Sequence, residues 1–135
     1  MALTSASTLY NRPTSIHWAY DISKNVISKG EIYDKDVINQ SVEGIIMTMF
    51  HERIFFHQFG CVAGTTCFTT LTDVSGETFL DSIIESIKTW EDRIIVLSQQ
   101  ATLQLMNDQG AAIIGIPYII KATGVASKYE KKLIF

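Results

Sequence analysis

Apolar residues recur at steps of three and four in two stretches of the chain, and each predicts a helix with one buried face. The stronger runs from Asp73 to Arg93, with Phe79, Leu80, Ile83, Ile84, Ile87 and Trp90 as its stripe. Asp73 or Ser75 can cap it. Asp73, Glu77, Asp81 and Glu85 lie toward its start, where exposed amide dipoles favour negative charge. Gly76 interrupts the first turn, so the regular part is set at Glu77–Trp90. The second stretch, Val37–Met49, carries Ile38, Val42, Ile45, Ile46 and Met49 on one side and Gln40, Glu43 and Thr48 on the other. Asp34 or Asp36 can cap it. Gly44, which costs about 1 kcal/mol relative to Ala, is read as marking a close helix crossing.

After Arg93 the pattern becomes extended. Strands are predicted over Ile94–Met106, Ala111–Lys121 and Ser127–Phe135, separated by turns at Asn107-Asp108-Gln109-Gly110 and Ala122–Gly124. Pro117 has no amide proton for a ladder, so its strand should be an edge there or carry a bulge. The fold class is α+β: two main helices followed by a C-terminal antiparallel β-meander with an open edge.

Other stretches have no period. Residues 1–15 are Ser/Thr-rich and read as a flexible N-terminal arm, leaving residues 16–135 as a single domain. Ile16–Ile22 is short and aromatic, and Glu31–Asp36 reads as a turn into the first helix. His51–Cys61 mixes Phe55, Phe56 and Phe59 with Glu52, Arg53 and His57, and its Gly60 suggests a positive φ. Residues 61–72 read as a loop.

Composition adds bounds. At 135 residues with 47% apolar content, the chain suits one folded domain. A net charge of -3, from 11 basic and 14 acidic residues, is no electrostatic footprint for nucleic acid. The charge is uneven: the central helix is acidic, while Lys121, Lys128, Lys131 and Lys132 make the C-terminal segment basic, which suits complementarity between copies or partners. Neither a secretory signal nor a bilayer-spanning run is expected. Two cysteines, Cys61 and Cys67, fit free thiols in a reducing compartment.

The junction Trp90-Glu91-Asp92-Arg93 is unusual, because three charged residues stand between an aromatic and a strand. Such a junction either satisfies its own chain or meets a partner. Glu91 and Arg93 can pair with each other or cap the helix end; alternatively Glu91 orients Arg93, whose planar fork of donors suits a partner's carboxylate.

Two motifs in this order resemble a known family. His51-Glu52-Arg53-Ile54-Phe55-Phe56-His57-Gln58-Phe59-Gly60 is similar to a Gly-Glu-Arg-Pro-Phe-x-Pro-x-Phe-Gly segment, with Glu52, Arg53, Phe55, Phe59 and Gly60 matching and Ile54 and His57 replacing the prolines. Trp90-Glu91-Asp92-Arg93-Ile94 resembles an aromatic followed by Glu-Pro-Arg-Ile, with Asp92 in place of proline. Both belong to the small baseplate wedge proteins of contractile-tailed phages, also called sheath initiators and lysozyme-like baseplate proteins. The resemblance covers roughly residues 16–135.

The resemblance implies a structural protein of the virion tail baseplate, assembled in the host cytoplasm. It implies that the Glu-x-Arg end contacts a helical bundle of larger wedge proteins, and that strands from the tail sheath protein complete the C-terminal sheet. Tail tube or hub proteins are further implied partners; nucleic acid, membrane and cofactors are not. The expected partner-binding residues are Glu91, Arg93, Trp90, Glu52, Arg53, Phe55 and Phe59. Against this, Phe55 and Phe59 can be core or loop anchors, and Glu52 and Arg53 a solvated turn.

Two other chemistries were weighed. A tail-associated peptidoglycan hydrolase needs two carboxylates about 5–10 Å apart across a cleft; Glu52, Glu91 and Asp92 qualify by type only, and no catalysis is expected. His51, His57, Cys61 and Cys67 lie in a short span, but five residues between the cysteines do not match zinc spacing. No metal is expected. The equivalent subunit of a bacterial contractile secretion or bacteriocin device is a further alternative.

Overall fold

Trp18-Ala19-Tyr20 and Glu31-Ile32-Tyr33 carry residues of high β-propensity, and in the computed structural model they pair. The structure describes residues 18–20, 31–63 and 73–134. The chain divides into two compact units, Met1–Gln40 and Ser41–Phe135. In the first, β1 (Trp18–Tyr20) runs antiparallel to β2 (Glu31–Tyr33) in the register Trp18↔Tyr33 to Tyr20↔Glu31. The turn expected over Glu31–Asp36 is therefore largely a strand, reversed only at Asp34, which has φ 43°. Its pairing partner lies ten residues upstream, beyond the reach of local turn signals. The proposed arm, residues 1–15, lies outside the described residues.

Helix α1 spans Lys35–Met47 and crosses from the first unit into the second. Ile38, Val42, Ile45 and Ile46 are buried, as the stripe predicts, and Val37 is buried with them. Met49 is not part of it: the helix ends earlier, and Met49 is exposed and forms an isolated bridge with Cys61. Gly44 marks no helix crossing among the described residues, since a Cβ there would meet none of their atoms within 4 Å. Its carbonyl instead accepts a 2.6 Å hydrogen bond from the Thr48 hydroxyl.

Helix α2 spans Asp73–Trp90, one turn longer at its start than expected. Gly76 lies close against β4 there: a Cβ on it would sit 3.1 Å from Leu103 Cδ2 and 3.6 Å from Leu105 Cδ1, so the Leu103 side chain would have to give by a few tenths of an ångström. Phe79, Ile83, Ile84 and Ile87 form its buried face.

The strands of the second unit are β3 (Ile94–Val96), β4 (Thr102–Met106), β5 (Ala111–Ile120) and β6 (Ala126–Ile134). All pairings are antiparallel. β5 is central, with β6 along one side and β3 and β4 end to end along the other. Ala112, Ile114, Ile116, Tyr118 and Ile120 of β5 are buried with Tyr129 and Leu133 of β6 and Val42, Ile45 and Ile46 of α1. The Lys131–Glu43 ion pair joins β6 to α1. Both turns fall where expected, with Gly110 at φ 57° and Gly124 at φ 68°.

The expected single strand over Ile94–Met106 is broken by a 3-10 turn, Ser98–Gln100, and Pro117 explains the break. Leu97 N–H donates to the Pro117 carbonyl at 2.9 Å, but Pro117 has no N–H to return. The Leu97 carbonyl instead accepts from Gln100 N–H at 3.0 Å, inside the turn. Pro117 thus lies in the central strand and faces an interruption of its neighbour.

Candidate functional site

Where α2 ends, the chain must turn into β3 within three residues, and Glu91 and Arg93 hold that corner. Glu91 N–H continues the helical pattern, donating to Ile87 O at 2.8 Å, and Lys121 N–H donates to Arg93 O at 3.0 Å. The Glu91 carboxylate is 3% exposed. Arg93 Nε donates to Oε1 at 2.6 Å and Nη2 to Oε2 at 2.7 Å, a two-pronged charge-assisted pair. The Arg93 backbone N–H adds a 3.3 Å bond to Oε1, and the Ser41 side chain of α1 hydrogen-bonds the same carboxylate. Burial opposes the charged form of Glu91, but these bonds and the guanidinium charge outweigh it and hold the carboxyl below its ordinary range. The Arg93 side chain, by contrast, is still 33% exposed.

The second motif packs against this corner. The Phe59 and Trp90 rings meet edge to face at 5.1 Å and 61°, and Arg53 stacks over the Phe59 ring, 4.1 Å from its centroid. The Glu52 carboxylate accepts from Met49 N–H at 2.9 Å. His51, at φ 69°, donates its N–H to His57 O at 2.9 Å, closing the loop. Gly60 has the expected positive φ, 124°, and a Cβ there would collide with Thr48 O at 2.4 Å. The loop is thus ordered by its own hydrogen bonds where the resembled family has prolines.

Of the seven expected partner-binding residues, the corner gathers Trp90, Glu91, Arg93, Phe59 and Arg53. Glu52 serves the loop's own backbone. Phe59 is an anchor. Phe55 is not: it is 89% exposed, flanked by Ile54 at 78% and Phe56 at 61%. Three consecutive apolar side chains thus stand in water as an exposed patch. The sequence reading named Phe55 as a contact but gave no contact role to Ile54, Phe56 or Ser41. An unbroken apolar triplet in a stretch without helical or strand period was the available signal for the first two. Ser41 gave none.

The His51 and His57 rings lie 5.8 Å apart. Cys61 is buried, which pushes its thiol upward against the opposing bond from Ala63 N–H. Among the described residues no three His, Cys, Asp or Glu side chains gather as a metal site, and no helix is long and apolar enough to cross a membrane. Cys67 lies outside the described residues.

Comparison with known proteins gives a family and a fold. Residues 33–125 match the profile of the family described as baseplate wedge protein gp25, a span holding both motifs. No curated protein matches. Among solved structures, a Geobacter sulfurreducens protein described as a proposed tail lysozyme superposes with a TM-score of 0.67 at 21% identity, over 83% of this chain and 96% of that one. At that identity the likeness concerns the fold. The chain belongs to the baseplate wedge protein gp25 family, structural proteins of the phage tail baseplate that work among other baseplate proteins.

Proposed function

We propose that this chain is a non-catalytic joint that links the baseplate wedge to the first ring of the contractile sheath and gives the sheath a strand on which to begin. The observation that carries the reading is the free edge of β6. Among the described residues β6 pairs with β5 and has no strand on its other side. The side that each main-chain group faces follows from Pro117. Its carbonyl accepts from Leu97, so the odd-numbered residues of β5 point their main chain toward β3 and β4. Their register partners on β6, among them Lys128, Glu130 and Lys132, therefore point N–H and C=O groups outward. An incoming strand from the sheath protein would satisfy that row by β-addition. The corner of Trp90 and Arg93, with the Ile54–Phe56 patch on the loop whose Phe59 packs against Trp90, would meet the larger wedge proteins, and tube or hub proteins are candidate further neighbours. Assembly would take place in the host cytoplasm.

Proline scanning of β6 tests this. Lys132→Pro removes an outward donor and leaves the β5 ladder intact, whereas Lys131→Pro breaks that ladder. Lys132→Pro should keep the fold and lose capture of the sheath protein in co-purification. Undiminished capture by folded Lys132→Pro would rule out strand addition at β6. The competing reading is a peptidoglycan hydrolase, favoured by the description of the Geobacter protein. A general acid needs a raised pKa, and Glu91, ion-paired and held low, is poised the opposite way. Release of sugar from cell-wall substrate by the purified chain would overturn the non-catalytic reading.

A further inference from the structure

We propose that His51 and His57 form a two-histidine site for a divalent transition-metal ion of the zinc, copper and nickel class, which clips the loop bearing Ile54–Phe56. Both residues are exposed, and their ring centroids lie 5.8 Å apart with the planes tilted by 36°. The backbone brings them together. His51 N–H donates to His57 O at 2.9 Å, and Phe56 N–H donates to Arg53 O at 3.3 Å inside the span. His51 stands at φ 69°, a left-handed conformation that reverses the chain. Apart from the contact of the two rings, neither imidazole makes a hydrogen bond or ion pair among the described residues. Two side chains of the commonest metal-binding type are thus held side by side with their nitrogens uncommitted.

The spacing suits one ion. Imidazole nitrogens bind Zn²⁺ at about 2.0–2.1 Å, which places each ring centroid about 3.2 Å from the metal. At a tetrahedral angle the two centroids would stand about 5.2 Å apart, so small side-chain rotations close the gap from 5.8 Å. Imidazole also selects the class of ion: it suits Zn²⁺, Cu²⁺ and Ni²⁺, whereas Ca²⁺ and Mg²⁺ take oxygen ligands. No third His, Cys, Asp or Glu joins the pair among the described residues, which leaves the other coordination positions to water. Glu52 is held by Met49 N–H, and Cys61 is buried with its sulfur accepting from Ala63 N–H at 3.2 Å. The site therefore differs from the four-ligand set weighed from the sequence, which needed both cysteines. Its effect follows from its place. Residues 52–56 lie between the two ligands, so the ion ties the ends of the segment whose apolar side chains stand in water. His57 replaces a proline of the resembled segment, and coordination would supply a rigidity that proline supplies through its ring. Because the backbone bond already closes the loop, binding loses little further chain entropy.

The experiment titrates the full chain, labelled with ¹⁵N, with ZnCl₂. A single ion per chain should bind, with half-saturation below about 1 mM and amide shifts centred on residues 51–57. His51→Asn, which tolerates the left-handed backbone, and His57→Gln should each keep the native spectrum elsewhere and bind Zn²⁺ about tenfold more weakly or worse. His17→Gln and Cys67→Ser, which remove other candidate ligands, should bind as the native chain does. Saturating Zn²⁺ should slow chymotryptic cleavage at Phe55 and Phe56 about fivefold or more, and EDTA should reverse the protection. Shifts centred elsewhere, half-saturation above about 1 mM, binding retained by both histidine variants, binding lost in His17→Gln or Cys67→Ser, or binding without protection of the loop would overturn the proposal. The test needs no baseplate partner, so its failure and the failure of the scaffold reading are separate results.

Discussion

The asymmetry of the Glu91–Arg93 pair makes a sharp prediction. Removing Arg93 strands a carboxylate that is almost wholly buried, whereas removing Glu91 strands a cation on a side chain that is one-third exposed. Loss of one partner of a buried pair costs about 3–5 kcal/mol when the remaining charge cannot be solvated. Glu91 keeps the Arg93 backbone N–H and the Ser41 side chain, so Arg93→Ala is placed at the lower end, about 3 kcal/mol. Glu91→Ala loses hydrogen bonds but leaves a hydrated cation, and is expected to cost about 1–2 kcal/mol. The double variant should resemble Glu91→Ala, because Arg93 has no buried charge to serve once Glu91 is gone. Urea unfolding of the four proteins at pH 7 gives the cycle directly. Equal costs for the two single variants, or simple additivity in the double, would refute the argument; all costs below about 1 kcal/mol would reduce the pair to an ordinary surface ion pair. The prediction also alters how Arg93 is tested as a contact. Arg93→Ala weakens the fold as well as the interface, so lost binding in that variant cannot be assigned to the interface until its stability is known.

The remaining predictions concern pH and packing. Glu91 has its folded pKa held below the unfolded carboxyl value, so its contribution is present above about pH 4.3 and is lost as pH falls through the folded pKa. The stability gap between native chain and Glu91→Gln should accordingly be widest near neutrality and close in acid, and a gap independent of pH would contradict it. Gly60→Ala should cost about 2–3 kcal/mol or more, from left-handed strain and the clash with Thr48 O, read as a lowered urea midpoint. The Tyr129 hydroxyl is buried beside Glu43 without a hydrogen-bond partner among the described residues, and burial together with the Glu43 charge pushes its pKa up. Tyr129→Phe should therefore be neutral or stabilising by up to about 1 kcal/mol, and a clear loss of stability would reveal a bond the hydroxyl makes.

Much of the fold was legible because its strongest signals are local. The stripes of both helices are repeated within single elements, and the two turns of the meander carry their own Gly residues. What was misread depended on contacts distant in the chain. Gly76 looks like a flaw in α2 until Leu103 and Leu105 of β4 are seen against it. Gly44 looks like a crossing until the space beside it proves open. The 3-10 turn at Ser98–Gln100 carries no Gly or Pro; it is imposed by Pro117, twenty residues downstream in the pairing strand, whose missing N–H releases the Leu97 carbonyl to Gln100. β2 was read as a turn because strand pairing with Trp18–Tyr20 cannot be inferred from Glu31–Tyr33 alone.

The corner was only half legible, for a different reason. Its residue types announce an ion pair, and the sequence posed self-satisfaction and partner binding as alternatives. The geometry makes them compatible. An isolated surface Arg would lose side-chain freedom on binding, which costs up to about 2 kcal/mol. Here the buried Glu91 fixes Nε and Nη2 of the fork, while the side chain as a whole keeps 33% exposure. On the proposed function, an internal ion pair would make Arg93 a rigid contact, and the edge-to-face pair of Phe59 and Trp90 would extend the same surface toward the loop. The exposed Ile54–Phe56 triplet then stands on a loop closed by its own hydrogen bonds, so its apolar area is presented rather than folded away. Phe55→Ala should leave stability within about 0.5 kcal/mol of the native chain while weakening co-purification with wedge proteins. A variant that binds them as well as the native chain would remove the patch from the interface and leave the corner to act alone.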